Sequence, residues 1–395
     1  MIQGHDIICF CNDWSGDPLS KKQIVTRLAQ HNRILWVNST GNRNPTASAR
    51  DFGRAWKKLT EFARGCRQVA DNIHVFSPLV IPFHGSRIAR AFNQRFYAAC
   101  LRRACRQLGF RNPLVLTFVP SSSDVIDSLA ATLVIYYCVD EYSQFSGTNR
   151  EAILAMERKL IERSGLVIVS ATRLLETKRP YNPNTHLITH GVDLLHFRKA
   201  CRSNLQVPAD CPKPDGPLIG FFGLIEDWVD LRLIREVALA RPAWSFVLIG
   251  EVRADASPLA SLRNVHILGR RPYNSLPAYC RAFDAAILPF TWNELTLAAN
   301  PLKLREYLAA GLPVIATPLP EVKRLEKLVH LARTPQDYIA AIEHLLATGR
   351  RGPRLADSMR MDAESWDAKV EQLSDYIEQR LYGAAREPAT APVSA

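Results

Sequence analysis

The chain has 395 residues, 47% hydrophobic and 22% charged, the balance of a soluble globular protein with material for two cores. No apolar run approaches the ~20 residues a membrane span needs, Met1–Phe10 lacks the pattern of a signal peptide, and nine scattered cysteines point to reduced thiols rather than disulfides or zinc. The formal charge of +12 is uneven, since 18 Lys/Arg face three acids (Asp51, Glu61, Asp71) between Lys21 and Arg111, and a net +15 there calls for an anionic partner: membrane lipid, nucleic acid or a polyanionic substrate.

The chain opens as strand, loop, helix, strand. Asp6–Cys11 is a buried strand, Asn12–Pro18 is turn-rich, Lys21–Gln30 is helical and Arg33–Asn38 is the next strand. Such a βαβ start predicts a parallel sheet, whose ligands bind beyond the carboxyl ends of the strands. The Asn12–Ser20 loop, with Trp14, is therefore placed near substrate. Residues 51–67 form a basic amphipathic segment. Phe52, Trp56, Leu59, Ala63 and Cys66 make one stripe, and Arg54, Lys57, Lys58 and Arg64 lie mostly on the other side. A second helix, about 86–108, carries Ile88, Phe92, Phe96 and Ala99 among six arginines. Either the stripes enter the core and the arginines are solvated, or one helix lies on a bilayer with Trp56, Lys57 and Lys58 at anionic headgroups. The membrane is the preferred partner, because no RNA- or DNA-binding motif is present.

Leu114–Phe118 and Leu133–Val139 read as buried strands, and the second ends in Asp140-Glu141. A carboxylate at a strand end facing a cleft suits a general base. Asp140 is the first choice and Glu141 the second, against a capping or salt-bridge role. Glu151–Glu162 is a helix, Leu166–Val169 and His186–Thr189 are strands, and the proline-rich 201–217 reads as a linker. The second half repeats the grammar. Strand Leu218–Phe222 runs into Gly223, which lets backbone N–H groups approach a phosphate. Strands at Trp244–Gly250, Val265–Gly269 and Ala285–Phe290 follow.

In Asn300-Pro301-Leu302-Lys303-Leu304-Arg305-Glu306, Asn300 is read as a helix cap and Pro301 as the first helical residue. Lys303 and Glu306, three apart, share one face. The helix start and Lys303 attract an anion, and Glu306 can accept hydrogen bonds from sugar hydroxyls. Gly311 ends the helix and Pro313–Ala316 continues as a buried strand.

This stretch, Asn300–Thr317, resembles the donor-site motif of GT-B glycosyltransferases of the glycogen-synthase-like group. Leu218–Val322 as a whole is similar to that group, and His190-Gly191-Val192-Asp193 looks like the Asn-Gly-Val-Asp phrase closing its first domain. The Asp140 segment is similar to that of bacterial exopolysaccharide or teichuronic acid glycosyltransferases and, more distantly, the xanthan glucuronosyltransferase type, whose base is an Asp in this domain. The resemblance implies an α/β GT-B fold of two Rossmann-like domains facing a cleft: residues 1–200, a linker at 201–217, a nucleotide-sugar domain at 218–365, a helix at 366–383 crossing back, and a disordered tail at 384–395. It implies a metal-independent glycosyltransferase without a cofactor, moving a sugar from a nucleotide-sugar, taken as UDP-linked, to a polyprenyl-linked or oligosaccharide acceptor at the cytoplasmic membrane face. The donor site would comprise Gly223, Arg271, Tyr273, Asn300, Lys303 and Glu306. The usual pattern has a second Glu eight residues before Glu306, where this chain has Ala298, so the anomeric outcome stays open. Two rivals share the observations: an epimerase acting on the nucleotide-sugar alone, and a non-catalytic module for anionic polymers.

Overall fold

The computed structural model describes residues 1–38, 60, 62, 64–79 and 87–383. Eight strands form the first sheet: β1 (Asp6–Cys11), β2 (Arg33–Asn38), β3 (Arg67–Ala70), β4 (Ile73–Phe76), β5 (Leu114–Thr117), β6 (Leu133–Cys138), β7 (Leu166–Val169) and β8 (Thr185–Leu187). Their order is β3-β4-β2-β1-β5-β6-β7-β8, parallel throughout except for the β3/β4 hairpin. The second sheet holds β9 (Leu218–Phe222), β10 (Ser245–Ile249), β11 (Val265–Gly269), β12 (Ala285–Leu288), β13 (Val314–Ala316) and β14 (His330–Leu331). It is wholly parallel, ordered β11-β10-β9-β12-β13-β14.

Helices cover both faces of each sheet, so the central strands carry unbroken apolar runs. Every residue of β1, β5, β7, β9, β10 and β12 is buried. Strand order reverses between β1 and β5 in the first sheet and between β9 and β12 in the second. Crevices at the carboxyl ends of the strands open at these reversals. The last helix, Trp366–Tyr382, leaves the second domain and packs on the first. Trp366, Val370, Leu373 and Ile377 enter the core beneath β1 and β6. Asp367 pairs with Arg27 at 2.9 Å, Arg380 donates to the Gly165 carbonyl at 3.0 Å, and Tyr376 stacks on His186 at 4.2 Å.

The β3/β4 hairpin was not expected from the sequence. Its four-residue strands are too short to show a period, and Arg67, read as the end of an amphipathic segment, opens β3. The basic helix of the first domain is Arg87–Gln107. From Phe96 onward Ala98, Leu101 and Ala104 are buried, the last two in one cluster with Phe10 and Val115, and Tyr97 packs edge-on against Phe10. Arg95, Arg102, Arg103 and Arg106 are exposed. The buried residues of this stretch therefore face the core rather than a bilayer. Trp56, Lys57, Lys58 and the tail 384–395 lie outside the described residues.

Candidate active site

One wall of the cleft comes from the second domain. β9 and β10 end in Gly223 and Gly250, with φ of 155° and 156°. A Cβ on Gly250 would overlap the Gly223 carbonyl oxygen, so the two turns meet only because Gly250 carries no side chain. Lys303 lies against the first turn: its Cε is 3.6 Å from where a Gly223 Cβ would sit, and its ammonium rides 5.1 Å over the Phe222 ring. The Leu302–Ala309 helix begins there, with Pro301 at its N-cap and no side chain capping it. Lys303 Nζ donates to Glu306 Oε2 at 2.8 Å. Glu306 is buried, and burial raises its carboxyl pKa while Lys303 pulls it down. A positive charge, uncapped helix N–H groups and glycine turns thus converge, which suits a diphosphate. The paired carboxylate one turn deeper suits a sugar hydroxyl.

Three predicted donor residues sit differently. Asn300 does not cap the helix. Its Nδ2 donates to the Ser170 carbonyl of the first domain at 2.7 Å and its Oδ1 accepts from Arg305 at 2.6 Å, because Pro301 takes the N-cap place. Arg271 is turned to the linker, where Asp210 accepts from its Nη2 at 2.6 Å and Tyr279 from its Nε at 3.0 Å. Tyr273 stacks on His196 at 4.4 Å. Burial raises its phenol, and Gln23 of the first domain hydrogen-bonds to it. Ala298, where the usual pattern has a Glu, is buried with the first domain's apolar residues around Phe10, Tyr136 and Leu174. A carboxylate there would be desolvated.

The other wall comes from β6. Asp140 follows its last residues, and no described residue hydrogen-bonds to its carboxylate. Burial lifts that carboxyl to about 6, against the opposing pull of Lys21. Lys21 Nζ donates to Asn12 Oδ1 at 3.0 Å and lies 5.5 Å over the Tyr142 ring. Burial depresses its ammonium while Asp140 raises it. Glu141 points the opposite way. It pairs with Lys178 at 2.8 Å, and Lys178 pairs again with Glu157 at 2.8 Å, which accepts from Tyr136 at 2.6 Å. Burial opposes the Lys178 charge, but Glu157 and Glu141 outweigh it and raise its pKa. Glu141 is therefore occupied in a buried network, not poised as a base.

Trp14 packs edge-on against Trp36 at 5.0 Å under the Lys22 ammonium at 4.3 Å, so its ring serves the fold. Contacts missed from the sequence draw the walls together: Arg270 to Asp17 at 2.9 Å, Ser146 to Asp227 at 2.7 Å, and Phe145 to Trp228 at 6.4 Å. His190 is buried within reach of charges from both walls. Burial, then the charges of Arg305, Lys21 and Lys369, depress its imidazole to about 3. Its buried Nδ1 has no partner among the described residues. Lys21 did leave a signal, because two lysines in a first helical turn with no acid oppose the helix dipole. Among the described residues, no group of three or more His, Cys, Asp or Glu could hold a metal ion, and no helix is long and apolar enough to cross a membrane.

Residues 216–348 match the family described as Glycosyl transferases group 1. The putative teichuronic acid biosynthesis glycosyltransferase TuaH of Bacillus subtilis (strain 168) is 29% identical over 268 residues, covering 62% of this chain and 66% of that protein. The match thus spans just under two thirds of the relative's length. Sucrose-phosphate synthase from Thermosynechococcus elongatus superposes with a TM-score of 0.67 at 15% identity, over 95% of this chain and 99% of that one. Anabaena HepE in complex with UDP and glucose gives 0.65 at 15% identity, over 95% and 100%. A UDP-forming trehalose-phosphate synthase from Burkholderia xenovorans gives 0.65 at 12%, over 95% and 99%. At these identities the likeness is one of fold. The chain has the GT-B fold, and residues 216–348 of its second domain match the group 1 glycosyl transferases.

Proposed function

We propose that this protein transfers a sugar from a UDP-linked nucleotide-sugar to a hydroxyl of a lipid-linked or growing cell-surface polysaccharide. The observation that carries the reading is the Lys303–Glu306 pair at an uncapped helix start beside the Gly223 and Gly250 turns. Lys303 and the helix N–H groups take the diphosphate, so charge neutralisation needs no divalent ion, and Glu306 accepts from donor hydroxyls. Asp140 removes the proton of the acceptor hydroxyl as that oxygen bonds to the sugar C1. The C1–O bond to the nucleotide breaks, and the leaving diphosphate keeps the electron pair.

UDP is favoured because two superposing structures are described as UDP-bound or UDP-forming. A cell-surface polymer is favoured by the named role of the Bacillus subtilis relative. The net +15 between Lys21 and Arg111, with Trp56, Lys57 and Lys58 in it, supports peripheral attachment to an anionic cytoplasmic membrane face.

The test is calorimetric titration of UDP and GDP into wild type, Lys303→Ala and Glu306→Ala, with and without a chelator. UDP binding weakened about tenfold or more in either variant, ~1.4 kcal/mol, and indifferent to the chelator, is expected. A wild type that binds neither nucleotide would sink the reading.

A further inference from the structure

Arg305 is a fully buried arginine lying between Lys303 and Glu306 on the donor helix, 2% exposed. A buried guanidinium is tolerated only where its donors are met. Its Nη1 donates to Asn300 Oδ1 at 2.6 Å and its Nε to Glu364 Oε2 at 3.1 Å. Both partners lead to the first domain. Asn300 Nδ2 donates to the Ser170 carbonyl at 2.7 Å. Ser170 Oγ in turn donates at 2.8 Å to the carbonyl of Val139, the residue before Asp140. Glu364 is paired with Lys369 of the returning helix at 3.2 Å, and its carbonyl accepts from Val192 N at 2.8 Å. A second interdomain bond lies alongside, from the Thr172 amide to Glu321 Oε1 at 2.7 Å.

We infer that Asn300 and Arg305 are positioning residues that tie the start of the donor helix to the strand end bearing Asp140, setting the distance between the two halves of the site. Either arm alone would satisfy only part of the guanidinium. Arg305 holds the Asn300 amide so that its Nδ2 faces the Ser170 carbonyl, and Val192 and Lys369 hold Glu364 from the other side, so the two contacts together favour one relative placement of the domains. Lys303 and Glu306 would still bind nucleotide if the tie were cut. The acceptor oxygen and the sugar C1 would no longer be held in register, and misplacement of that kind lowers kcat rather than donor affinity.

The catalytic part of this inference rests on the nucleotide-sugar reading, and the tie itself does not. The decisive variants are Asn300→Ala and Asn300→Asp. Asp keeps an acceptor for Arg305 but cannot donate to the Ser170 carbonyl, so it restores the partner whose loss in Ala leaves the buried guanidinium short of an acceptor, without restoring the tie. Both variants should show kcat lowered about tenfold, with donor KM and UDP affinity within about twofold of wild type. Both should show amide exchange at Thr172 accelerated about tenfold or more. An Asn300→Asp enzyme with wild-type kcat, or wild-type Thr172 exchange in both variants, overturns the inference. If the wild type turns over no nucleotide-sugar, the proposed function has failed, and the Thr172 exchange alone decides the tie.

Discussion

The second-domain wall of the cleft pairs its charges internally, whereas the first-domain wall leaves one carboxylate without a hydrogen-bonded partner among the described residues. Lys303 and Glu306 neutralise each other at 2.8 Å, so a diphosphate competes for the lysine rather than meeting a bare cation. Asp140 has Lys21 nearby but no hydrogen bond to its carboxylate among the described residues, and burial holds its carboxyl near 6. Its neighbour Glu141, one residue on, is drawn into the Lys178–Glu157 network. The contrast teaches that adjacent identical chemistry can be divided between structure and reaction by the direction each side chain takes. A carboxylate without its own partner is available to a substrate proton, and a paired one is not.

The largest effect that separates the walls should come from Asp140→Asn. Transfer should fall about 10²–10⁴-fold while UDP affinity, read by calorimetry, stays near wild type. A parallel loss of UDP binding would show that the two walls do not divide the work. Next in size is the buried network. Glu157→Gln removes one of the two carboxylates meeting Lys178 and should cost about 3 kcal/mol in denaturant unfolding, whereas Asp140→Asn should not destabilise the protein at neutral pH.

The pH dependence follows from the raised Asp140 carboxyl. A base must be unprotonated, so the transfer rate should drop as pH falls through about 6. Removing Lys21, which favours the ionised form, should move that midpoint upward, as a pH–rate profile of Lys21→Met will show. Stability runs the other way. The unfolded chain ionises Asp140 near 3.8 and the folded one near 6, so stability is lost as pH rises between those values and stays lower above them. Asp140→Asn should then raise unfolding free energy by about 1–3 kcal/mol at pH 7–8 and have no effect below pH ~4. The smallest effect expected is for Arg271→Ala. With its guanidinium on Asp210, its loss should change UDP affinity by less than about twofold, and a tenfold loss would return it to the donor site.

Most strands were legible because a strand buried on both faces must be apolar throughout, as β7 is over its whole length and β1 is from Ile7 onward. The Lys303–Glu306 pair was legible because helical spacing alone puts them on one face. Local pattern also determined the cleft's position, since parallel strands place their loops at one end. Tertiary structure alone decided what each polar side chain does there. Asn300 follows every rule for a cap and instead bridges to Ser170, because Pro301 takes the capping place and a buried Arg305 needs an acceptor. Asp140 and Glu141 are indistinguishable in sequence. They part because Lys178, 37 residues from Glu141, reaches only one of them. Periodicity is a property of neighbours along the chain, whereas the pairing of a buried charge depends on groups that only folding brings together.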